Sequence, residues 1–363
     1  MRILVALSGG IDSSVVAHML RAQGHELVGV RFLLWSDPLA PAFAQVLPSK
    51  CCNAQAAARA GNVAKALGIP LHIIDLEKEF KEYVVDPYLE DHRKGNTPNP
   101  CIGCNRTIKF GKLLSMMEEL GCDRLATGHY ARVAKERLPD GTDRHLLLEA
   151  VDSTKDQSYY LYGLTQHQLA RTIFPLGGML KRDVFALAEQ YGVPHDRHYK
   201  ESQDLCFFPE KAPREVLKRH LQEAMTPGDI VRRDGTVVGR HEGLPLYTVG
   251  QRRGLRVGGL TIPLEVVSKD ASANRLVVAD KGAESMRGVR LKDVRWVSWV
   301  PQDDVFECRI RSLSPRLHGR ITRMGEATSF VFNEAIPPVP AGQALVVYRG
   351  EEIVGGGIID SAL

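Results

Sequence analysis

No stretch of this 363-residue chain reaches the roughly 18 consecutive apolar residues of a spanning helix. The opening Met1-Arg2-Ile3-Leu4-Val5-Ala6-Leu7 is too short in its apolar part for a secretory leader. It has no small-residue cleavage pattern and runs directly into a glycine motif. A buried first strand explains it better, and the cytoplasm is the expected location. Cysteine is scarce and odd in number, 7 in all, at 51, 52, 101, 104, 122, 206 and 308. An odd count in a chain this long argues against a disulfide scaffold and leaves metal binding, catalysis or plain burial. Charge of one sign is nearly absent as an excess, at +4 overall, too little to name a partner. There is no internal repeat and no low-complexity segment. What is present, 44% apolar and 25% charged residues, is ordinary for a globular chain with room for two or three domains.

Strand and helix alternate in the first part of the chain. Residues 2–7 predict a strand and Ser13–Gln23 a helix, with Val15, Val16, Met19 and Leu20 at helical spacing. Val28–Leu34 and Leu71–Asp75 predict strands. Asn53–Leu67 predicts an Ala-rich helix stopped by Gly68, and Ile108–Leu120 a helix ended by Gly121. Arg124–Thr127 leads out of a fourth strand. This is the pattern of an α/β fold, a parallel sheet with helices on both faces. Ligands of such sheets sit at the carboxyl ends of the strands, where Ser8, Phe32 and Gly128-His129 fall. Further helices are expected at Gln166–Arg171 and Lys181–Tyr191, then a mostly helical connector from Pro209 to about Met225. Beyond 226 the texture changes to short strands (230–231, 237–238, 264–267, 275–278, 307–310, 319–324, 328–332, 344–348 and 352–359) between Gly, Asp and Asn turns. This predicts two small all-β modules. Residues 213–278 carry 11 Lys and Arg against 7 Asp and Glu, the whole surplus. That suits a phosphate backbone, and a solvated surface explains it equally well.

Ser8-Gly9-Gly10-Ile11-Asp12-Ser13 follows the first strand and opens the first helix. Glycines allow a tight turn and close approach of phosphate oxygens, and the unpaired N–H groups of a helix start favour an anion. Ser8 and Ser13 add hydroxyl donors, and Asp12 suits Mg²⁺ through phosphate or water. No Gly-Lys-[Ser/Thr] ending is present, so this is not a Walker loop, and the third glycine of a dinucleotide fingerprint is missing. A purely structural Gly-Gly turn is the alternative. The segment resembles the Ser-Gly-Gly-x-Asp-Ser motif of the PP-loop ATP pyrophosphatases. These cleave ATP between the α and β phosphates and adenylate an acceptor. Lysidine synthetase, GMP synthetase and argininosuccinate synthetase share the loop, which therefore leaves the acceptor open.

Asn96-Thr97-Pro98-Asn99-Pro100-Cys101-Ile102-Gly103-Cys104-Asn105-Arg106-Thr107-Ile108-Lys109-Phe110 narrows the choice. It resembles the signature of the tRNA-specific 2-thiouridylase family, bacterial tRNA-uridine 2-sulfurtransferases that place sulfur on C2 of uridine 34. Gly128–Ala131, Lys155–Leu161, Ser202–Phe207, Thr248–Leu255 and Gly355–Ile359 resemble further family signatures in the same order, so the resemblance covers essentially the whole chain. It implies a PP-loop catalytic domain over 1–212, a small mainly-β tRNA-binding domain over 213–278 and a C-terminal β-barrel over 279–363. It also implies ATP and Mg²⁺ as requirements, and adenylation of the C2 oxygen of the wobble uridine in the Lys, Glu and Gln tRNAs. Sulfur transfer then yields 2-thiouridine, AMP and pyrophosphate. Chemically, the C2 oxygen is a poor leaving group that adenylation turns into AMP, after which a sulfur nucleophile adds at C2.

The resemblance puts Ala6, Leu7, Ser8, Gly9, Gly10, Ile11, Asp12, Ser13, Phe32 and Gly128 at ATP. Asn99, Pro100, Cys101 and His129 fall near the target base, and Lys155, Asp156, Gln157 and Gln343 at the tRNA, whose anticodon stem-loop is the expected partner. Arg252 and Arg253 suit backbone contacts. It makes Asp12, Cys104 and Cys206 catalytic, with Cys206 carrying a persulfide and Cys104 releasing its sulfur by forming a transient Cys104–Cys206 disulfide. Lys109, Arg106 or a helix N-terminus would lower a thiol pKa, and Asp204 would help hold the loop or the substrate. Some family members have Asp at Cys101, so Cys101, Cys104 and Cys206 as three ligands of a [4Fe–4S] cluster is the alternative route. The sulfur donor would be a cysteine desulfurase or a relay protein, the enzyme a monomer without membrane attachment, and the Cys206 segment a mobile loop. Cys51 and Cys52 read as structural or auxiliary, and Cys122 and Cys308 as buried. The family's Arg-aromatic-Arg contact segment is degraded around Arg311-Ser312-Leu313-Ser314. Two other classes stay in play: a PP-loop amidating or lysidine-type enzyme, which needs neither Cys104 nor Cys206, and a tRNA-binding protein without activity, which the intact loop opposes.

Overall fold

The first strand is apolar at its inner positions, Ile3, Leu4 and Val5, because both faces of its sheet are covered. The computed structural model describes residues 1–41, 54–194, 205–208, 213–258, 262–302, 304–325 and 327–363. Strands β1 (Arg2–Ala6), β2 (Glu26–Leu33), β3 (Leu71–Asp75), β4 (Arg124–Ala126), the hairpin β5 (Arg132–Arg137) and β6 (Asp143–Leu148), and β7 (Thr172–Ile173) come first. Five of them pair in parallel in the order β3-β2-β1-β4-β7. On one face Leu4, Val28, Val30 and Leu125 pack under Phe110, Leu113, Leu114 and Met117. On the other, Ile3, Val5 and Leu7 pack under helix α1 (Ile11–Ala22) through Val15, Val16 and Leu20, and under α2 (Ala54–Leu67) through Ala60, Val63 and Ala64. Helices α3 (Phe110–Glu119), α4 (Lys181–Gln190) and α5 (Pro213–His220) complete the longer helical elements used below.

A four-stranded sheet follows, β8 (Gly228–Arg232), β9 (Val237–His241), β10 (Leu264–Asp270) and β11 (Arg275–Asp280), in the order β10-β11-β8-β9 around Ile230, Val266, Leu276 and Val278. The last six strands are β12 (Met286–Trp296), β13 (Val305–Arg309), β14 (Leu317–Met324), β15 (Ala327–Ile336), β16 (Ala344–Arg349) and β17 (Glu352–Ala362). They run β12-β15-β14-β13-β16-β17 and close into a barrel because β12 also pairs with β17. Closure leaves no edge strand in the barrel to template association. Among the described residues no helix is long and apolar enough to cross a membrane.

The fold class is the expected one, and three elements add to it. The helix expected from Ile108 begins earlier, at Pro100. A short turn, Pro100–Gly103, runs into a π-helical stretch, Cys104–Lys109, and then into α3. Pro at N1 starts helices well, but the Pro and Gly of this motif read as loop. The β5–β6 hairpin escapes the pattern because RVAKER and DRHLLL are charged and half-exposed. Strand β12 escapes it because its alternation is broken by register shifts and by Asp293 at φ 47°. Cys51, Cys52 and Asp204 lie outside the described residues.

The hairpin joins the two ends of the molecule. Glu352 and Ile353 of β17 pair with Leu148 and Leu147 of β6, so the barrel sheet extends into the first part of the chain. Leu147 is fully buried in a cluster that also contains Leu4, Phe110, Val346 and Ile353. Leu147→Ala is expected to cost about 2–5 kcal/mol, read as a lower urea midpoint. A loss under about 1 kcal/mol would mean that the hairpin is a peripheral flap.

Candidate active site

The carboxyl ends of β1, β2 and β4 open on a cleft of about 280 Å³. Ala6, Leu7, Ser8, Gly10, Asp12, Ser13, Phe32, Gly128, His129 and Gln157 line it, with Arg31, Leu34 and Lys109. Gly9 sits at φ 80°, and a Cβ there would lie 2.1 Å from the Ala56 carbonyl oxygen. The loop therefore presses its backbone onto α2, where Arg59 Nε donates to Gly9 O at 2.7 Å. Ser8 and Ser13 hydroxyls are 3.1 Å apart, and Gly10 N–H donates to Ser8 Oγ. No side chain caps α1, so its first-turn N–H groups suit an anion. Gly128 is closely packed, since a Cβ there would meet Ser13 N at 3.0 Å and force the loop to give by a few tenths of an ångström. The loop's N–H groups suit a phosphate chain, and the Asp12 carboxylate is a hard oxygen of the kind that Mg²⁺ takes.

Two cations frame the loop from behind. Buried Arg31 donates from Nη1 to Ser8 O at 2.8 Å. Lys181 Nζ lies 2.6 Å from Asp12 Oδ1, which also accepts from the Tyr130 hydroxyl at 3.0 Å. Lys181 opens α4, where a cation opposes the helix dipole; that mismatch is the one signal by which the sequence hints at a special role. His129 is held by Thr127 (Nδ1 to Oγ1, 2.8 Å) and packs on Phe110 and Phe174. Burial, then the nearby Lys109 ammonium, pushes its pKa down to about 3, so it faces the cleft as neutral imidazole.

The thiols lie on the far side of Phe32 and Leu34. Cys104 is buried in an apolar cluster with Leu34, Trp35, Phe80, Tyr88 and Phe207, and Cys206 packs against the same cluster. Neither is in a disulfide, nor are Cys101, Cys122 and Cys308. Cys101 instead borders a second cleft of about 540 Å³, together with Asn99, Pro100, Leu205, Gln251 and Gln343. Burial raises the Cys101 thiol pKa above its ordinary value, against the pull of Lys109. Among the described residues no three His, Cys, Asp or Glu side chains gather as a metal site.

A family model described as a tRNA methyl transferase HUP domain matches residues 1–210, a tRNA methyl transferase PRC-barrel domain model matches 214–280, and an aminomethyltransferase β-barrel domain model matches 286–359. The chain is 42% identical over 364 residues to the tRNA-specific 2-thiouridylase MnmA of Chloroflexus aurantiacus, covering 98% of each chain. The protein of that name from Geobacter metallireducens is 41% identical over 100% of this chain and 97% of its own, and that from Symbiobacterium thermophilum 39% over 100% and 93%. The chain belongs to the tRNA-specific 2-thiouridylase family.

In this thiouridylase-family chain the residues expected at RNA separate into groups. Asn99, Pro100, Cys101 and Gln343 share the second cleft, while His129 and Gln157 face the nucleotide cleft. Gln343 Nε2 donates to Thr97 O at 2.7 Å and Thr97 N–H donates to Ala341 O, so the barrel holds the loop that leads to Cys101. Asp156 is set back from the surface. It is buried, and its carboxylate accepts from Ala150 N, Ser158 N and Ser158 Oγ. It holds the turn that carries Lys155 and Gln157. Gly9 and Ile11 shape the nucleotide loop without lining the cleft; Ile11 points into the core.

Gly9→Ala is expected to weaken ATP binding more than tenfold by calorimetry. Gly24→Ala, also at positive φ (82°) but in open space, controls for backbone strain and should leave binding unchanged; equal losses would dismiss the close-approach argument. A second expectation concerns pH. His129 and His92 are held neutral mainly by burial, with pKa values of about 3 and about 4, whereas unfolded imidazoles titrate at about 6.5. The unfolded chain binds more protons below that value, so their contribution to stability is complete above about pH 6.5 and declines as pH falls toward 4. Urea midpoints at pH 7.5 and 5 measure this, and a His129 proton resonance that titrates near 6.5 would contradict it.

Proposed function

We propose that this protein is the tRNA-specific 2-thiouridylase of its organism. It adenylates the C2 oxygen of uridine 34 with Mg-ATP and replaces that oxygen by sulfur. The observation that carries the reading is the sharing of one wall, Phe32 and Leu34, between the cleft of the Ser-Gly-Gly-x-Asp-Ser loop and the cluster that holds Cys104 and Cys206.

The sequence of events follows from the chain's groups. The loop N–H groups and the Ser8 and Ser13 hydroxyls hold the phosphates, and Lys181 with Tyr130 fixes the Asp12 carboxylate beside them. Mg²⁺, when bound, neutralises phosphate charge. The uridine C2 oxygen attacks the α-phosphorus and pyrophosphate leaves. A Cys206 persulfide then adds its terminal sulfur to C2, and the C–O bond to AMP breaks. Cys104 thiolate attacks Cys206 Sγ, the S–S bond to the transferred sulfur breaks, and a Cys104–Cys206 disulfide remains. An external thiol reductant returns both thiols, and a desulfurase or relay protein reloads Cys206. The apolar surroundings protect the persulfide from water. Neutral His129 orients the base or nucleotide without contributing charge. A route that needs Cys104 and Cys206 as thiols suits a reducing cytoplasm, and Lys155, Gln157, Arg252 and Arg253 are the proposed phosphate and anticodon-loop contacts.

The test supplies uridine-34 tRNA, Mg-ATP and a sulfur donor and quantifies 2-thiouridine and AMP. Wild type should form both; Cys206→Ala should form at least about a hundredfold less 2-thiouridine while retaining ATP binding. Full activity of Cys206→Ala would refute the persulfide, and acid-labile sulfide with iron in active, anaerobically purified protein would replace it by the cluster route.

A further inference from the structure

Asp37 is the most enclosed carboxylate beside the thiol cluster, with no exposed side-chain surface. It follows β2 by a few residues and carries none of the roles above. Its Oδ2 accepts from Arg219 Nη2 at 2.6 Å and Nε at 3.2 Å. Its Oδ1 accepts from His220 Nε2 at 2.8 Å and from Leu39 N–H at 3.0 Å. Burial alone would push the carboxyl pKa up; the Arg219, His220 and Leu39 hydrogen bonds outweigh it and hold the value below the ordinary one. An ionic group enclosed this way adds little stability over an apolar residue of the same size. What it adds is a single geometry, because four donors fix one orientation.

That geometry reaches Cys206. Arg219 and His220 end α5, which packs Val216 and Leu217 into the thiol cluster. Trp35, two residues before Asp37, meets His220 edge-on at 5.8 Å and Phe207 at 6.4 Å. Phe207 is wedged among Trp35, Phe80, Tyr88 and Phe208, and Cys206 is its neighbour in sequence. Asp37 thus fastens α5 to the Trp35 segment, and between them they grip the residue after the sulfur carrier.

We propose that Asp37, by clamping Arg219 and His220, is a positioning residue for sulfur transfer that keeps Cys206 within reach of Cys104. The proposal rests on the reading that these two thiols exchange. It assigns Asp37 no part in ATP binding, since none of the Asp37 clamp residues lines the nucleotide cleft.

The test equilibrates the full-length protein with glutathione buffers, in which two thiols and one glutathione disulfide give the Cys104–Cys206 disulfide and two glutathione thiols. The disulfide is quantified by mass spectrometry after acid quench. Asp37→Asn should lower the equilibrium constant about tenfold, equivalent to about 30 mV, and slow 2-thiouridine formation in proportion, with ATP binding retained. Asp37→Glu, which keeps the charge, should recover part of the loss. If Asp37→Asn does not fold, Arg219→Met takes its place with the same expectation. A constant unchanged in the variant, even with a lowered melting temperature, would show that the clamp is merely structural and overturn the proposal. A wild-type protein that forms no Cys104–Cys206 disulfide at any ratio would instead remove the exchange reading, and the proposal with it.

Discussion

Two chemistries that need opposite surroundings share a wall in this molecule, and the arrangement of everything else follows from that wall. Adenylation needs a wet, charged cleft where phosphates meet N–H groups and Mg²⁺. Persulfide chemistry needs a dry one. The end of β2 serves both: Phe32 and Leu34 face the nucleotide cleft, and both also pack into the cluster around Cys104. In the proposed reaction, a uridine held at this wall would meet the α-phosphate from one side and sulfur from the other.

The π-helical stretch Cys104–Lys109 divides the two compartments along a helix. Cys104, at its start, points into the apolar cluster, whereas Lys109, at its end, lines the nucleotide cleft. A π turn rotates the residues that follow it relative to an α-helix, which is why such turns collect at functional sites. Here the rotation lets one continuous helical run deliver a thiol to the dry side and an ammonium to the charged side. Lys109 therefore acts electrostatically on His129 and on Cys101.

Most of the fold could be read from the chain because its signals are local. β1 is apolar in all its inner positions, Gly68 and Gly121 stop helices where expected, and the Ser8–Ser13 loop carries its chemistry in six consecutive residues. What could not be read depends on contacts between distant segments. The β5–β6 hairpin gains its reason only from pairing with β17, more than two hundred residues on. Asp156 looks like a surface acid in the sequence and is buried by the arrival of the barrel, where Arg309 approaches it at 3.9 Å. Lys181 becomes part of the site only when α4 docks against α1. Asp37 sits in an unremarkable Ser-Asp-Pro turn until α5 brings Arg219 and His220 to it.

The barrel's grip on the loop before Cys101 has a kinetic consequence. Gly342, at φ 91°, lets the barrel backbone press onto Asn96 and Thr97, and Gln343 fixes the Thr97 carbonyl. A terminal domain that only gathered substrate would express itself in KM. One that also sets the shape of the loop bordering the reaction spends part of its contact energy on the transition state. Loosening it far from the chemistry is therefore expected to lower kcat along with affinity, the two ends of the chain acting as a single catalyst.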